Sequence, residues 1–514
     1  MISRIHSAQV VGLRPHIIDI EVDISKGTNS FSIVGLGDKA IEESKDRITA
    51  AIKNSGLTST KKGCKKVVVS LAPADLKKEG PSFDLGIALG YLISSEMIKF
   101  ETEDKIFLGE LSLDGRIRGI RGALVITERA KKDGFTEIYL PEENAREAAL
   151  VDGIKIYPCK TLLQVVGHLN DYESNKKPIN AIPKTEVKYI ERAILGVDFG
   201  DVKGQESAKR GLEIAAAGGH NITLFGPPGT GKTMLAKAFS GILPTLSPEE
   251  IIEVTGIHSA TGTLEDEMVT TPPFRSPHHT SSYISLVGGG AYPKPGEITL
   301  AHRGVLFLDE FPEFEKRVLE AMRQPLEDRV VSISRARGSI KFPASFILVA
   351  AMNMCPCGNK GLKEKECICN MASINKYQRK ISGPIMDRID MWVLVPQIDH
   401  RKLSEKESCE SESSANIKNR VENARATQAK RFSGLKVGAK TNSEMSVREM
   451  KKYAPLTNKC QELLISFANK LELSARAHHR VIKLARTIAD LDSRENIEEK
   501  HILEALQYRP KDVF

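Results

Sequence analysis

No run of apolar residues in the chain is long enough to cross a bilayer, so no membrane partner is expected. The opening stretch, MISRIHSAQVVGLRPHIIDIEVDISKG, alternates as strands do and lacks the apolar core of a secretory signal. A cytoplasmic protein is the expectation. Charge of one sign is also scarce: 74 basic residues against 66 acidic ones leave a net +8. That balance is compatible with nucleic-acid contact but does not argue for it, and a solvated surface explains it as well. Cysteine is thin over most of the chain. Of eight cysteines, Cys64, Cys159, Cys409 and Cys460 stand alone, as reduced thiols do in the cytosol, while four crowd into residues 355–369. No internal repeat is evident.

What is present is ordinary globular composition, 41% apolar and 27% charged, in 514 residues. One hydrophobic core rarely serves that length, so several domains are expected. Residues 1–172 mix short strands and helices: KKVVVSLA reads as a buried strand and SFDLGIALGYLISS as a helix. Residues 173–189 are polar with two prolines and read as a linker. A second domain is expected over 190–400, a hinge loop over 401–415, and an all-helical remainder over 416–514.

The strongest chemical signal is GPPGTGKT, Gly226, Pro227, Pro228, Gly229, Thr230, Gly231, Lys232 and Thr233. It follows an apolar strand, NITLF, and opens a helix, MLAKAFSGIL. Glycines let backbone N–H groups turn inward around phosphate oxygens, and the helix N-terminus adds a favourable dipole. The motif predicts ATP binding, with Lys232 reaching the β- and γ-phosphates and Thr233 on Mg²⁺. GVLFLDE supplies a second buried strand that ends in acids. Asp309 is expected in the Mg²⁺ shell, and Glu310 to orient or activate the attacking water.

Three further positions follow from resemblance to AAA+ ATPases. ILVAAMN ends in Asn353 and resembles the sensor-1 strand, though Asn353 could cap a turn. GPIMDRIDM is similar to the segment carrying an arginine finger, here Arg388, which could instead pair with Asp387 or Asp390. SARAHHRVIKLARTIADL resembles the sensor-2 helix, with Arg476 as reader and Arg480 as competitor. A finger supplied by a neighbouring subunit implies slow hydrolysis by a lone chain and activation in a ring, usually of six.

Between Gly226 and Asp309 lies FRSPHHTSSYISLVGGGAYPKPGEITLAHRG, and after Asp309 the strand-like RVVSIS and SIKFPA flank RARG. These resemble the helix-2 insert and pre-sensor-1 hairpin of the Mg-chelatase and MCM branch. On such a hairpin Arg335, Arg337 and Lys341 are candidate trackers of DNA phosphates, or ordinary solvated charges. His258, His278 and His279 are read as loop residues of no metal site.

LAPADLKKEGPSFDLGIALG, GELSLDGRIRGIRGAL, FRSPHHTSS, LFLDEFPEF and CPCG complete a set that resembles the YifB/ComM group over nearly the full length. The resemblance implies a multidomain α/β protein. It would comprise a Lon protease-like N-terminal domain, an AAA+ P-loop core of the Mg-chelatase/MCM branch and an all-α C-terminal lid. It also implies a homo-hexameric, ATP-driven DNA motor whose assembly nucleotide or DNA promotes, acting in branch migration during transformation. A protein-remodelling ATPase is the alternative, but no aromatic-hydrophobic pore loop is evident.

In KKEGPSFDLG, Ser82 resembles the Lon nucleophile, and the position of its lysine partner appears as Leu124. Leucine is no base, and Lys131 and Lys132 lie about two helical turns on. Protease activity is therefore not expected, and Ser82 is read as structural, a candidate cap of the following helix. Finally, CPCGNKGLKEKECIC places Cys355, Cys357, Cys367 and Cys369 as two C-x-C pairs. Two thiolate pairs can close a tetrahedral, structural zinc site.

Overall fold

The computed structural model describes residues 2–57, 65–170, 178–187, 189, 196–290, 293–335, 338–362, 365–397, 412–434 and 439–509. The chain divides into two compact units. One comprises residues 1–189, 248–270 and 292–294, the other 190–247, 271–291 and 295–514.

The first unit is built on a seven-stranded mixed sheet. In chain order the strands are β1 (Ser3–Val11), β2 (Arg14–Lys26), β3 (Ser30–Val34), β4 (Lys65–Ala72), β5 (Lys105–Phe107), β6 (Glu137–Pro141) and β7 (Lys155–Cys159). In space they run β3-β4-β2-β1-β5-β6-β7. Helices α1 (Lys39–Asn54), α2 (Asp84–Ser94), α3 (Ala123–Lys132), α4 (Glu142–Ala148) and α5 (Leu162–Leu169) belong to the same unit. Helix α2 lies close on the sheet because two of its residues lack a side chain. A Cβ at Gly86 would come within 2.7 Å of Ile20, and one at Gly90 within 2.7 Å of Val22.

Helix α2 begins at Asp84 with Phe83 as its N-cap and no side-chain cap bond, so Ser82 is not the cap the sequence suggests. Asp84 is fully buried and accepts from Arg47 Nε at 2.9 Å and from the Leu111 N–H at 3.2 Å. Leu124 is fully buried in the first turn of α3, and Lys131 and Lys132 are exposed at its end.

A segment from the middle of the chain joins this unit. The helix Pro248–Thr261 packs on α3, and the Gly122 N–H reaches the Ser259 carbonyl at 3.2 Å. The buried Glu147 carboxylate accepts from the Leu124 N–H at 2.9 Å and from the Ser259 hydroxyl, and burial raises its pKa. Part of the expected linker also folds here: the Ile182 N–H bonds the Ile156 carbonyl at 3.0 Å, and Ile179 is buried. Most of the expected hinge, 401–415, lies outside the described residues.

The second unit contains a five-stranded parallel sheet. Its strands are β8 (Ile222–Phe225), β9 (Phe274–Arg275), β10 (Val305–Leu308), β13 (Ile347–Met352) and β14 (Met391–Leu394), with β11 (Val330–Arg335) and β12 (Gly338–Pro343) forming a separate hairpin between β10 and β13. The spatial order is β9-β10-β13-β8-β14. Strands β8, β10 and β13 are buried at every position, as a parallel sheet covered on both faces requires. Helices α6 (Glu206–Gly218), α7 (Lys232–Phe239) and α8 (Met371–Gln378) accompany the sheet in sequence. The C-terminal region is helical, as expected: α9 (Ser414–Phe432), α10 (Val447–Tyr453), α11 (Asn458–Lys470), α12 (Ala475–Leu491) and α13 (Glu499–Gln507).

The hairpin pairs antiparallel from Val330↔Pro343 to Arg335↔Gly338. Lys341 is exposed on β12 opposite Ser332. Arg337 lies outside the described residues, and for Arg335 the backbone alone is described.

Candidate active site

Register brings the site together. Phe225 pairs with Met352 and Leu308 with Ala350, so the chain leaves β8, β10 and β13 at one edge of the sheet. The residues that follow are Gly226, Asp309 and Asn353. In open α/β sheets, ligands gather outside this carboxyl edge.

Gly226 has no room for a side chain: a Cβ there would lie 2.2 Å from the Val395 carbonyl oxygen. Gly229 and Gly231 have φ of 75° and 87°, the left-handed region that glycine enters without strain. The turn they make delivers the chain into α7, whose first residues are Lys232 and Thr233.

Lys232 is buried, and its ammonium donates to the Gly226 carbonyl at 2.9 Å, the Pro227 carbonyl at 2.7 Å and Asn353 Oδ1 at 3.2 Å. Burial pushes its pKa down to about 8, against the opposing pull of Asp309. Those three neutral acceptors are poor partners for a cation, and phosphate oxygens would be better ones. The Thr233 hydroxyl donates to Asp309 Oδ2 at 2.8 Å, which sets one hydroxyl and one carboxylate side by side as oxygen ligands suited to Mg²⁺.

Glu310 is half exposed, at φ 50°, and its carboxylate is 3.0 Å from His279 Nδ1. His279 in turn stands edge-on to Phe314, with ring centroids 6.5 Å apart. In sequence terms His279 is a loop residue of no assigned role. Its only local signal was a position shortly after β9, the strand next to β10.

The remaining arginines gather elsewhere. Arg388 precedes β14, and Met391 at the start of β14 pairs with Ile222 at the start of β8. This is the amino edge of the sheet, opposite to Lys232. Arg388 bonds Glu327, and Arg476 bonds the same carboxylate at 3.2 Å. Neither Asp387 nor Asp390 is the partner of Arg388. The Arg388 hydrogen bond holds Glu327 below the usual carboxylate range. Arg480 is committed to Asp390 at 2.8 Å, while the Arg476 side chain is 58% exposed. Burial favours a protonated Asp390, but Arg480, His220 and the Asn221 N–H outweigh it and hold the carboxyl well below its ordinary range.

The four clustered cysteines converge. Cys355 and Cys357 sulfurs are 3.4 Å apart, Cys357 and Cys367 3.7 Å, and Cys367 and Cys355 3.6 Å. All four sulfurs lie within 4.8 Å of one another. A tetrahedral zinc with bonds of about 2.3 Å has sulfur–sulfur edges of about 3.8 Å, so the donor set fits that ion. The Asn359 N–H pulls the Cys357 thiol down to about 6, while burial pushes Cys355 up to about 12.

Three family models match the chain. Magnesium chelatase, subunit ChlI, covers residues 198–403; subunit ChlI of Mg-chelatase covers 20–144; and the ChlI C-terminal model covers 411–509. Competence protein ComM of Haemophilus influenzae is 40% identical over 514 residues, spanning 98% of this chain and 97% of its own. The uncharacterized protein YifB of Escherichia coli is 40% identical over 515 residues, 99% of this chain and 97% of its own. Lon protease 2 of Bacillus subtilis is 33% identical over 146 residues, 27% of this chain and 26% of its own. DNA replication licensing factor Mcm6 of Drosophila melanogaster is 24% identical over 334 residues, 63% of this chain and 36% of its own.

Proposed function

Because the chain belongs to the YifB/ComM family of magnesium-chelatase-like AAA+ proteins, we propose that it is an ATP-driven DNA motor that works as a homo-hexameric ring. Its task in this reading is branch migration of recombining DNA. The competence role named for the Haemophilus relative supports that direction.

In this reading ATP takes the Gly226–Thr233 turn, and its phosphates replace the carbonyls that now satisfy Lys232. Thr233 and Asp309 hold Mg²⁺, which neutralises charge on the β- and γ-phosphates when bound. Glu310 orients the attacking water, and Asn353 reads the γ-phosphate. Cys355, Cys357, Cys367 and Cys369 hold a structural zinc. The hairpin bearing Arg335, Arg337 and Lys341 follows the DNA backbone.

One observation carries the ring. Arg388 and Lys232 stand at opposite edges of the same sheet, separated by the four residues of β8, about 13 Å of strand. Arg388 cannot reach the phosphates of its own chain across that length. To reach those of a neighbour it must leave Glu327 and the Pro384 carbonyl, since its side chain is 11% exposed, whereas Arg476, which shares Glu327 with it, is 58% exposed. A lone chain therefore has an incomplete site, and nucleotide binding and assembly support each other.

The test is ATP turnover with and without single-stranded or branched DNA, followed by a branch-migration assay of wild type beside Lys232→Ala. DNA stimulation and migration lost in the variant are expected. Stimulation by an unfolded protein such as casein, with none by DNA, would favour a protein-remodelling motor and defeat the DNA reading.

A further inference from the structure

Residues 355–369 do more than collect sulfurs. Between the two cysteine pairs the backbone passes through Gly358 and Gly361, both left-handed at φ 80° and 91°. A Cβ at Gly358 would lie 3.3 Å from Pro228 Cγ. One at Gly361 would lie 3.3 Å from Pro227 Cγ and 3.3 Å from Met354 Sδ. Gly358 and Gly361 are thus laid directly on both prolines of the Gly226–Thr233 turn.

Its root is tied to the same turn. Asn353, two residues before the fully buried Cys355, accepts from Lys232 at 3.2 Å. The Pro227 carbonyl accepts from Lys232 at 2.7 Å and from the Thr230 hydroxyl at 3.0 Å. A shift of Pro227 therefore disturbs the ammonium and the turn together. Nothing in the sequence motif demands such a lid of chain over the phosphate turn, and the cysteines are what would hold it in place.

We infer that the four-cysteine loop is an oxidant-releasable clamp on the phosphate turn. With a metal bound it holds Pro227 and Pro228 where ATP is accepted, and hydrogen peroxide that oxidises two of its sulfurs frees the metal and weakens ATP binding. This rests on the reading of a zinc-bearing ATP site given above. The chemistry balances with peroxide as the oxidant. One thiolate attacks the O–O bond, an S–O bond forms, and the departing hydroxide takes a proton to become water. A second thiolate of the cluster attacks that sulfur, the S–S bond forms, and the S–O bond breaks. The second hydroxide is protonated in turn. Two sulfurs supply two electrons, the peroxide becomes two waters, and the remaining two thiolates no longer close a tetrahedral site.

The experiment uses the full-length wild-type protein, so no variant has to fold. Zinc content is measured by metal analysis, zinc release by a chromogenic chelator, and affinity by titration with a fluorescent ATP analogue, before and after hydrogen peroxide. Zinc release and a rise in Kd of at least about fivefold are expected to run together. Thiol reductant with added zinc should restore affinity, whereas reductant with a chelator should not. Peptide mapping should find the disulfide among Cys355, Cys357, Cys367 and Cys369. Zinc release with unchanged Kd would overturn the clamp and leave the zinc and ATP readings standing. So would affinity lost while zinc stays bound. A preparation that binds ATP but carries no zinc and cannot be loaded with it would defeat the metal reading itself, and the clamp with it.

Discussion

The two edges of the parallel sheet in the second unit are built by different means. At the carboxyl edge a backbone turn does the work: glycines admit left-handed φ, carbonyls meet Lys232, and a single hydroxyl–carboxylate contact joins Thr233 to Asp309. At the amino edge ion pairs do it: Arg388 and Arg476 share Glu327, and Arg480 holds the buried Asp390. The first edge is arranged to receive anions. The second presents cations whose own site is already filled by carboxylates. On the proposed reading, the difference is that of two halves of a catalytic site kept apart within one chain.

Substitutions at each edge should therefore fail differently. Lys232→Ala at the carboxyl edge should abolish measurable ATP turnover, a loss of at least about a thousandfold, with ATP affinity lost as well. Arg388→Ala at the amino edge should lower kcat by about 10³-fold while a fluorescent ATP analogue still binds with near wild-type Kd. Equal loss of binding in both variants would erase the distinction between the edges. Protein stability should show the reverse order. Asp390→Ala strands the Arg480 guanidinium and should cost about 3 kcal/mol in chemical denaturation. Thr233→Ala should cost less than about 1 kcal/mol, because its partner Asp309 lies at the exposed edge.

A pH dependence of ATP binding is expected at the carboxyl edge. With its pKa pushed down to about 8, Lys232 loses its proton in the free protein as pH rises through that value. Bound phosphate favours the ammonium, so ATP affinity should be flat below about pH 7 and fall as pH rises, approaching tenfold per unit above the free pKa. Affinity that rises from pH 7 to 9 would contradict the burial of a charged Lys232. The smallest effect expected is from His279→Ala, which removes a partly exposed partner of Glu310. A change of a few-fold in kcat with unchanged ATP Kd would mark His279 as a positioning residue for that carboxylate.

The carboxyl edge was legible in the sequence because its parts are local. GPPGTGKT encodes its own turn, and VLFL and ILVAAM announce buried strands that end in Asp309 and Asn353. The hairpin and the terminal helices were legible for the same reason, since period and turn residues are short-range signals. The amino edge was half legible. Arg388 and Arg476 stood out by resemblance, but Glu327, which joins them, lies 61 and 149 residues away and has no motif of its own. Contacts set by tertiary packing were invisible: His279 on Glu310, Gly358 and Gly361 on the prolines, and the helix Pro248–Thr261 packed within the first unit. The expected cap from Ser82 failed because Phe83 and a buried Asp84 begin α2.

The separation of the two edges is tested most directly by mixing Lys232→Ala and Arg388→Ala chains, each inactive alone. If neighbouring chains share each site, an equimolar mixture contains interfaces with an intact Lys232 from one chain and an intact Arg388 from the next. Random assembly makes these roughly a quarter of the total, and ATP turnover should recover toward that fraction. A mixture that assembles and stays as inactive as its components would mean that no chain lends its arginine to another.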